Sequence, residues 1–347
     1  MRRYMLKGAK SGEVITNYLT FSSPSSFTVS MTGNNKNGTL YYSLDKENWV
    51  EWDRSAITSN ADNEIYIRGS GNSHFATSTS AFNKFVITGS NVSCDGNIET
   101  LLDWQTVANG EHPAMDNYCF YKLFYNCAAL VNLPALPATT LTTYCYAYMF
   151  QGCTSAVNLP ALPATTLTDY CYYYMFQGCT SAVNLPALPA TTLTTYCYAY
   201  MFQGCTSAVN LPALPATTLT TYCYYYMFNG CTSAVNLPAL PATTLTSHCY
   251  CYMFGDCTSA VNLPALPATT LTDYCYAYMF VSCKKIKLST AKTGEYQNEY
   301  RIPTSGTGTG TTATEAMSGM FSSTGGTFVG APTINTTYYT SNVVISA

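Results

Sequence analysis

The block from Leu133 to Asn158 recurs letter for letter from Leu185 to Asn210, and near-copies fill the chain between and beyond at a fixed step of 26 residues. No other feature constrains the fold as strongly. A repeat of this length is one supersecondary unit that cannot bury its apolar face alone, so copies must stack. The step carries one apolar strand-like run and one aromatic helix-like run. The fold class expected is therefore an α+β repeat: a solenoid with one short strand and one short helix per 26-residue coil.

One coil shows how this expectation arises. Leu133-Pro134-Ala135-Leu136-Pro137 cannot be helical, because each proline pushes its predecessor into extended backbone. Ser155 to Leu159 reads as the strand that leads into the next such turn. Between the two lies Tyr144 to Cys153. Across the copies, the letters that vary are those at 143, 147 and 151 and their equivalents, four residues apart. The nearly fixed Cys145, Met149 and Cys153 are also four apart, as are Tyr146 and Phe150. That spacing predicts a helix with a fixed inward stripe and a variable outward face. Gly152, Gly178, Gly204 and Gly230 fall where a helix C-terminus favours glycine, and Thr142 or Thr143 could cap the start.

The cysteines follow the same step. Fourteen of the sixteen form two series, Cys119 to Cys275 and Cys127 to Cys283, with Cys94 and Cys251 outside. Stacking would set them in two columns of small apolar thiols inside the core. Their spacing within a coil, seven residues apart, is not a usual zinc pattern, and no metal site is expected. The column Asn132, Asn158, Asn184, Asn210, Asn236 and Asn262 is expected to point inward as a side-chain hydrogen-bond ladder.

Either side of the repeats the composition changes. Residues 1–93 read as a small antiparallel β-sandwich, with strand-like runs at 26–31, 39–44, 48–52, 64–68 and 84–88 divided by turn-rich stretches. Residues 94–117, with the amphipathic run 98–104, read as the N-terminal cap. The seven cysteine-marked coils occupy 118–283. Residues 284–347 read as a degenerate last coil and C-terminal cap, because Met320-Phe321 echoes Met149-Phe150. The Gly/Thr run at 305–310 lacks the ending and the preceding strand of a phosphate loop.

Charge narrows the partners. Charged residues are 10% of the chain, and between Lys122 and Lys284 there is no Lys or Arg and only Asp169, Asp256 and Asp273. A nucleic-acid partner needs cations to displace counterions from phosphate, so none is expected. No run is apolar for the ~18 residues that a membrane span requires. The start, Met1 to Gly8, is basic but lacks the apolar stretch of a signal peptide, so none is recognisable.

Two tyrosine columns recur, one at Tyr144 and its equivalents and one at Tyr148 and its equivalents. Rings packed between coils with only their hydroxyls wet would account for both. The varying positions carry the candidate contacts for a ligand: Gln151, Asp169, Tyr173, Gln177, Gln203, Tyr225, Asn229, His248 and Asp273. Tyrosine suits such a role because it offers large amphipathic area at little entropy cost. Trp49 and Trp52 with Tyr41 and Tyr42 are a second possible platform, although such aromatics are more often core.

The recurring Met149-Phe150-x-Gly152-Cys153-Thr154-Ser155-x-x-x-Leu159-Pro160 resembles the Treponema, or BspA-like, leucine-rich repeat, over residues 115–285. Its Leu-Pro-Ala-Thr-Thr-Leu and Cys-Tyr letters are similar to repeats of gut Bacteroidales and their phages. The 26-residue step exceeds the family's usual one, and Ala156 stands where a leucine is expected. The resemblance implies a leucine-rich-repeat solenoid serving as a surface adhesin or recognition protein, without catalysis or cofactor.

Catalysis would need titratable groups brought together. His74, His112 and His248 lie in separate regions, and the acids Asp45, Glu47, Glu51 and Asp53 read as a solvated hairpin face rather than a glycosidase pair. The expected function is non-enzymatic adhesion or receptor recognition, with a host or bacterial surface protein or glycan as partner. The expected location is extracellular, on a cell or virion surface. The alternative is a structural, self-assembling surface or virion fibre protein, a homo-oligomer of charge-poor coils.

Overall fold

The computed structural model describes residues 17–309 and 313–345. The basic stretch Met1 to Gly8 and Gly310, the end of the Gly/Thr run, lie outside the described residues. The described residues begin with eight strands: β1 (Leu19–Ser22), β2 (Thr28–Thr32), β3 (Thr39–Ser43), β4 (Val50–Glu51), β5 (Ile57–Thr58), β6 (Glu64–Ser70), β7 (Lys84–Thr88) and β8 (Val92–Asp95). β4-β3-β6-β1-β8 pair antiparallel in one sheet and β5-β2-β7 in another. The five runs expected from alternation coincide with β2, β3, β4, β6 and β7. β1, β5 and β8 are short, and alternation over two to four residues carries little signal. Phe21 of one sheet meets Phe85 of the other at 5.5 Å, and Trp52 stacks on Phe85 at 6.2 Å.

β8 then pairs in parallel with β9 (Leu130–Asn132), and Val92 N–H donates to Ala129 O at 2.9 Å. The first sheet therefore runs directly into the repeats. Between β8 and β9 lie a 3-10 turn (Ile98–Leu101) and α1 (Trp104–Ala108), capped by Asn97 and Asp103.

The expected leucine-rich-repeat solenoid, with one helix and one strand in every coil, does not form. Among the described residues, Ile98–Leu101 and Trp104–Ala108 are the only helical segments, and the strands gather in several small sheets towards the ends of the chain. Residues 142–153 are instead a run of overlapping turns. Cys145, Ala147, Met149, Gln151 and Cys153 each donate their N–H to the carbonyl three residues back. The alternating residues Tyr144, Tyr146, Tyr148, Phe150 and Gly152 donate to the next block, at Asp169, Cys171, Tyr173, Met175 and Gln177. From Thr143 to Cys153 every N–H has a partner, as a buried backbone requires, and no helix is needed to supply it.

The misreading has a simple cause. A helix advances about 100° per residue and this turn ribbon about 90°, so over ten residues the two differ by only about 100°. Spacing by four cannot separate them in so short a run. The decisive feature is positive φ at Tyr144, Tyr148 and Gly152, at 59°, 57° and 74°, the conformation that type II turns place at their third residue. It recurs in the first block at Tyr118, Lys122 and Asn126, and in the last at Glu315, Gly319 and Ser323. The glycine expected to end a helix is thus one of three equivalent left-handed positions.

Left-handed backbone costs a side chain about 1–2 kcal/mol. Stacking with the ring above and below, worth about 0.5–1.5 kcal/mol a pair, offsets much of that at the tyrosines. Inside, Cys145, Met149, Phe150 and Cys153 are fully buried, as are their equivalents along the stack. Phe rings from Phe124 onward stack block upon block, with Phe150 to Phe176 at 5.7 Å and Phe176 to Phe202 at 5.8 Å, and Phe120 heads a buried column continued by Tyr146 and Tyr172. All sixteen cysteines are buried thiols. Cys153 and its successors each point Sγ at the carbonyl of a phenylalanine in the preceding block, 3.0–3.3 Å away.

The expected strand is also curtailed. Parallel pairing between blocks is reduced to single bridges, Asn132–Asn158–Asn184–Asn210–Asn236, because the prolines that follow have no N–H to extend it. The asparagine side chains do not form the inward ladder expected of them. Asn158, Asn184, Asn210 and Asn236 are exposed, and it is their backbones that pair. Only Asn262 is buried among them, its amide bonded to both backbone groups of Leu237.

The stack ends in β10 (Asn262–Pro264), β11 (Lys287–Ser289), β12 (Asn298–Arg301), β13 (Gly325–Gly326), β14 (Thr337–Thr340) and β15 (Val343–Ile345). β10 pairs with β15, and β12-β14-β11-β13 form a closing sheet. Phe280 N–H donates to Met320 O, and the rings of Phe280 and Phe321 stack at 5.4 Å, so the aromatic column continues into this segment.

Candidate functional site

The turn ribbon sets two aromatic columns side by side. In the first, Tyr118, Tyr144, Tyr170, Tyr196, Tyr222, His248 and Tyr274 stack with ring centres 4.4–4.8 Å apart. In the second, Tyr148, Tyr174, Tyr200, Tyr226, Tyr252 and Tyr278 stack at 4.1–5.1 Å. Ring faces are spent on one another, so these half-buried side chains offer the surface their edges. Lys122 stands at the head of the second column, its ammonium 5.1 Å from the Tyr148 ring centre.

The variable column at 147 and its equivalents does not face outward. Ala147, Ala199, Ala277 and Cys251 lie buried between the two columns. Period-four turns put this position on the floor between the columns rather than on an outer helical face. Tyr173 and Tyr225 occupy the same floor position but are too large for it, and are half-buried. Tyr173 meets Tyr148, Tyr170, Tyr174, Tyr196 and Tyr200 edge-on, and Tyr225 does the same with Tyr200, Tyr222 and Tyr226. His248 replaces a tyrosine in the first column, 4.4 Å from Tyr222 and 4.6 Å from Tyr274. Burial lowers its pKa, against an opposing pull from Asp273.

Beside the second column runs an amide ladder. Gln151 donates to Gln177, Gln177 to Gln203 at 2.6 Å, Gln203 to Asn229 at 3.2 Å, and Asn229 to Asp256 at 3.4 Å. Asp169 and Asp273 flank the first column and are exposed. Their carboxylates accept from the backbone of Thr195 at 3.0 Å and of Thr314 at 2.7 Å, tying blocks together. Eight of the nine candidates thus share one aromatic and amide face, with Asp273 at its far end.

This face has little chemistry beyond contact. Burial and neighbouring phenols push the tyrosine pKa values up, to about 12 for Tyr121. Burial likewise takes the thiols of Cys145, Cys197 and Cys205 up to about 12, leaving them protonated and unreactive. Elsewhere, Ser73, His74 and Asp116 meet, but Asp116 and Ser73 both approach Nδ1 of His74, at 3.1 and 3.4 Å. A triad needs the hydroxyl on the opposite nitrogen. Asp45 accepts from the backbone of Glu47 and Asn48, and Asp53 from that of Ser55, so these acids serve their own turns. Hydrogen bonds hold both carboxyls below the usual range. Trp52 belongs to the core, whereas Trp49 lies at the surface against Arg68.

No family model, no characterised protein and no solved structure matches this chain.

Proposed function

We propose that this protein is a non-enzymatic recognition protein that meets a protein or glycan ligand through the tyrosine and amide face, on the surface of a cell or virion. The observation that carries the reading is the pair of half-buried residues Tyr173 and Tyr225, wedged where the blocks on either side place alanine or cysteine; the first block also carries a tyrosine there, Tyr121, but fully buried. Packing alone would be served by alanine, and the tyrosines add amphipathic area beside a ladder of amides and phenol edges. A stack of such blocks meets its ligand by many shallow contacts, so affinity grows with the number engaged. The test is binding to glycan and surface-protein arrays by the intact chain and by Tyr173→Ala/Tyr225→Ala. Loss of signal in the double variant supports the reading; full retention removes this face from consideration.

A second reading, self-assembly, is favoured by a separate feature. Val157, Val183, Val209, Val235 and Val261 form an exposed column, each 38–43% accessible, in blocks almost free of charge. Val183→Lys/Val209→Lys should abolish any concentration-dependent sedimentation if that column mediates assembly. A wild-type chain that sediments identically at all concentrations would sink this reading.

A further inference from the structure

Arg68, on β6, is held by two indoles. Its guanidinium carbon lies 3.9 Å from the ring centre of Trp49, just before β4, and 4.0 Å from that of Trp104, which opens α1. Tyr41 pairs with Arg68 across β3 and β6, and Tyr18 packs on Trp49 at 5.6 Å. Stacking accounts for the faces of the guanidinium but not for its edge. Among the described residues, no carboxylate, carbonyl or hydroxyl accepts from any of its N–H groups, and Nε is buried without a partner. Arg54 and Arg301, by contrast, each bond to neighbouring oxygens.

Asp103, next to Trp104 in the chain, is already engaged: it accepts from Gly71 N–H and Thr106 N–H. Burial depresses the pKa of Arg68, and no carboxylate offsets it. A desolvated guanidinium normally keeps an acceptor, because each unmet charged donor costs free energy. The free edge is a planar fork suited to a planar oxyanion, and the rings around it suit the C–H faces of a sugar.

We infer that Arg68, flanked by Trp49 and Trp104, is a binding site for the carboxylate of an acidic sugar. The site stands apart from the tyrosine face and does not depend on it. Its readout is built in, since Trp49 and Trp104 are two of only three tryptophans and the third, Trp52, is buried. Sodium glucuronate added to the whole chain at constant ionic strength should shift tryptophan emission saturably. Half-saturation is expected on the order of 1–10 mM, fitting one bidentate ion pair with a ring contact. The Arg68 Nε–H resonance should shift with the same midpoint, and Arg68→Lys should weaken the response at least tenfold. The NMR arm needs only wild-type protein, so a poorly folded variant leaves the test intact. Glucose should give no response. The inference fails if glucuronate does not saturate, if phosphate matches it, or if N-acetylglutamate binds equally well, which would point to a peptide acid instead.

Discussion

The N-terminal β region and the repeat stack solve the same problem, satisfying the backbone and filling a core, by opposite means. In the β region each strand bonds its neighbours and dissimilar side chains interlock: Phe21, Trp52 and Phe85 meet from two sheets. In the stack, each residue of the turn ribbon bonds alternately within its own block and to the next, and identical side chains lie over one another. A core of unlike residues depends on where each one sits. A core of columns depends only on the step being constant. Phe85 joins the two, stacking on Phe124 at 4.9 Å.

Removing one ring from each core gives the largest expected effects. Phe85→Ala and Phe176→Ala should each cost about 3–5 kcal/mol. All three tryptophans lie in the first 104 residues, so urea unfolding followed by fluorescence reports that end and far-UV dichroism the whole. Phe85→Ala should shift both curves together, and Phe176→Ala should shift dichroism more than fluorescence. Equal shifts from Phe176→Ala would mean that the regions unfold as one unit and that the contrast is only geometric.

Alkali should act mainly on the stack. Burial raises Cys145 from 9.0 to about 12, so the folded state holds its proton where the unfolded chain would lose it. That stability is fully present below pH 9 and is lost as pH rises towards 12, at about 1.4 kcal/mol per pH unit for each thiol. The buried tyrosines move in the same direction. Dichroism against pH, read beside tyrosinate absorbance, should show a cooperative loss well above pH 9. Non-cooperative titration of tyrosine at its ordinary range would contradict the packing described here.

Smaller effects test the backbone. Gly178, at φ 71°, and Gly71, at φ 64°, both have room for a methyl group. Alanine at either should cost about 1–2 kcal/mol from left-handed backbone alone. A markedly greater loss at Gly178 would show that strain propagates between blocks. The smallest change should be Gln177→Ala, which cuts the amide ladder at a half-buried position for about 0.5–1.5 kcal/mol by thermal unfolding.

Much of the stack was legible in the letters. The 26-residue step, the inward Cys145, Met149 and Phe150, the thiol columns and the stacked tyrosines all follow from residues that cannot vary without breaking a column. The helix was not recoverable from spacing, because Cys145, Met149 and Cys153 sit four apart in either geometry. Tyr144 and Tyr148 gave no hint of positive φ, since bulky residues rarely adopt it. The letters at 147 and its equivalents were read as part of a wet face when Ala147 and Ala199 are the floor between two rows of rings. Arg68 carried no signal at all: its partners lie 19 residues before it and 36 after it.

By itself the sequence determined that near-identical blocks must lie one on another, because each carries apolar residues it cannot bury alone. It also determined that the thiols, methionines and phenylalanines of each block face inward. Only the tertiary structure decided the path of the backbone within a block and which exposed groups share a face. Hydrogen bonds to the neighbouring block, not local preference, make a left-handed residue at every fourth position acceptable, and those bonds exist only once the blocks are stacked.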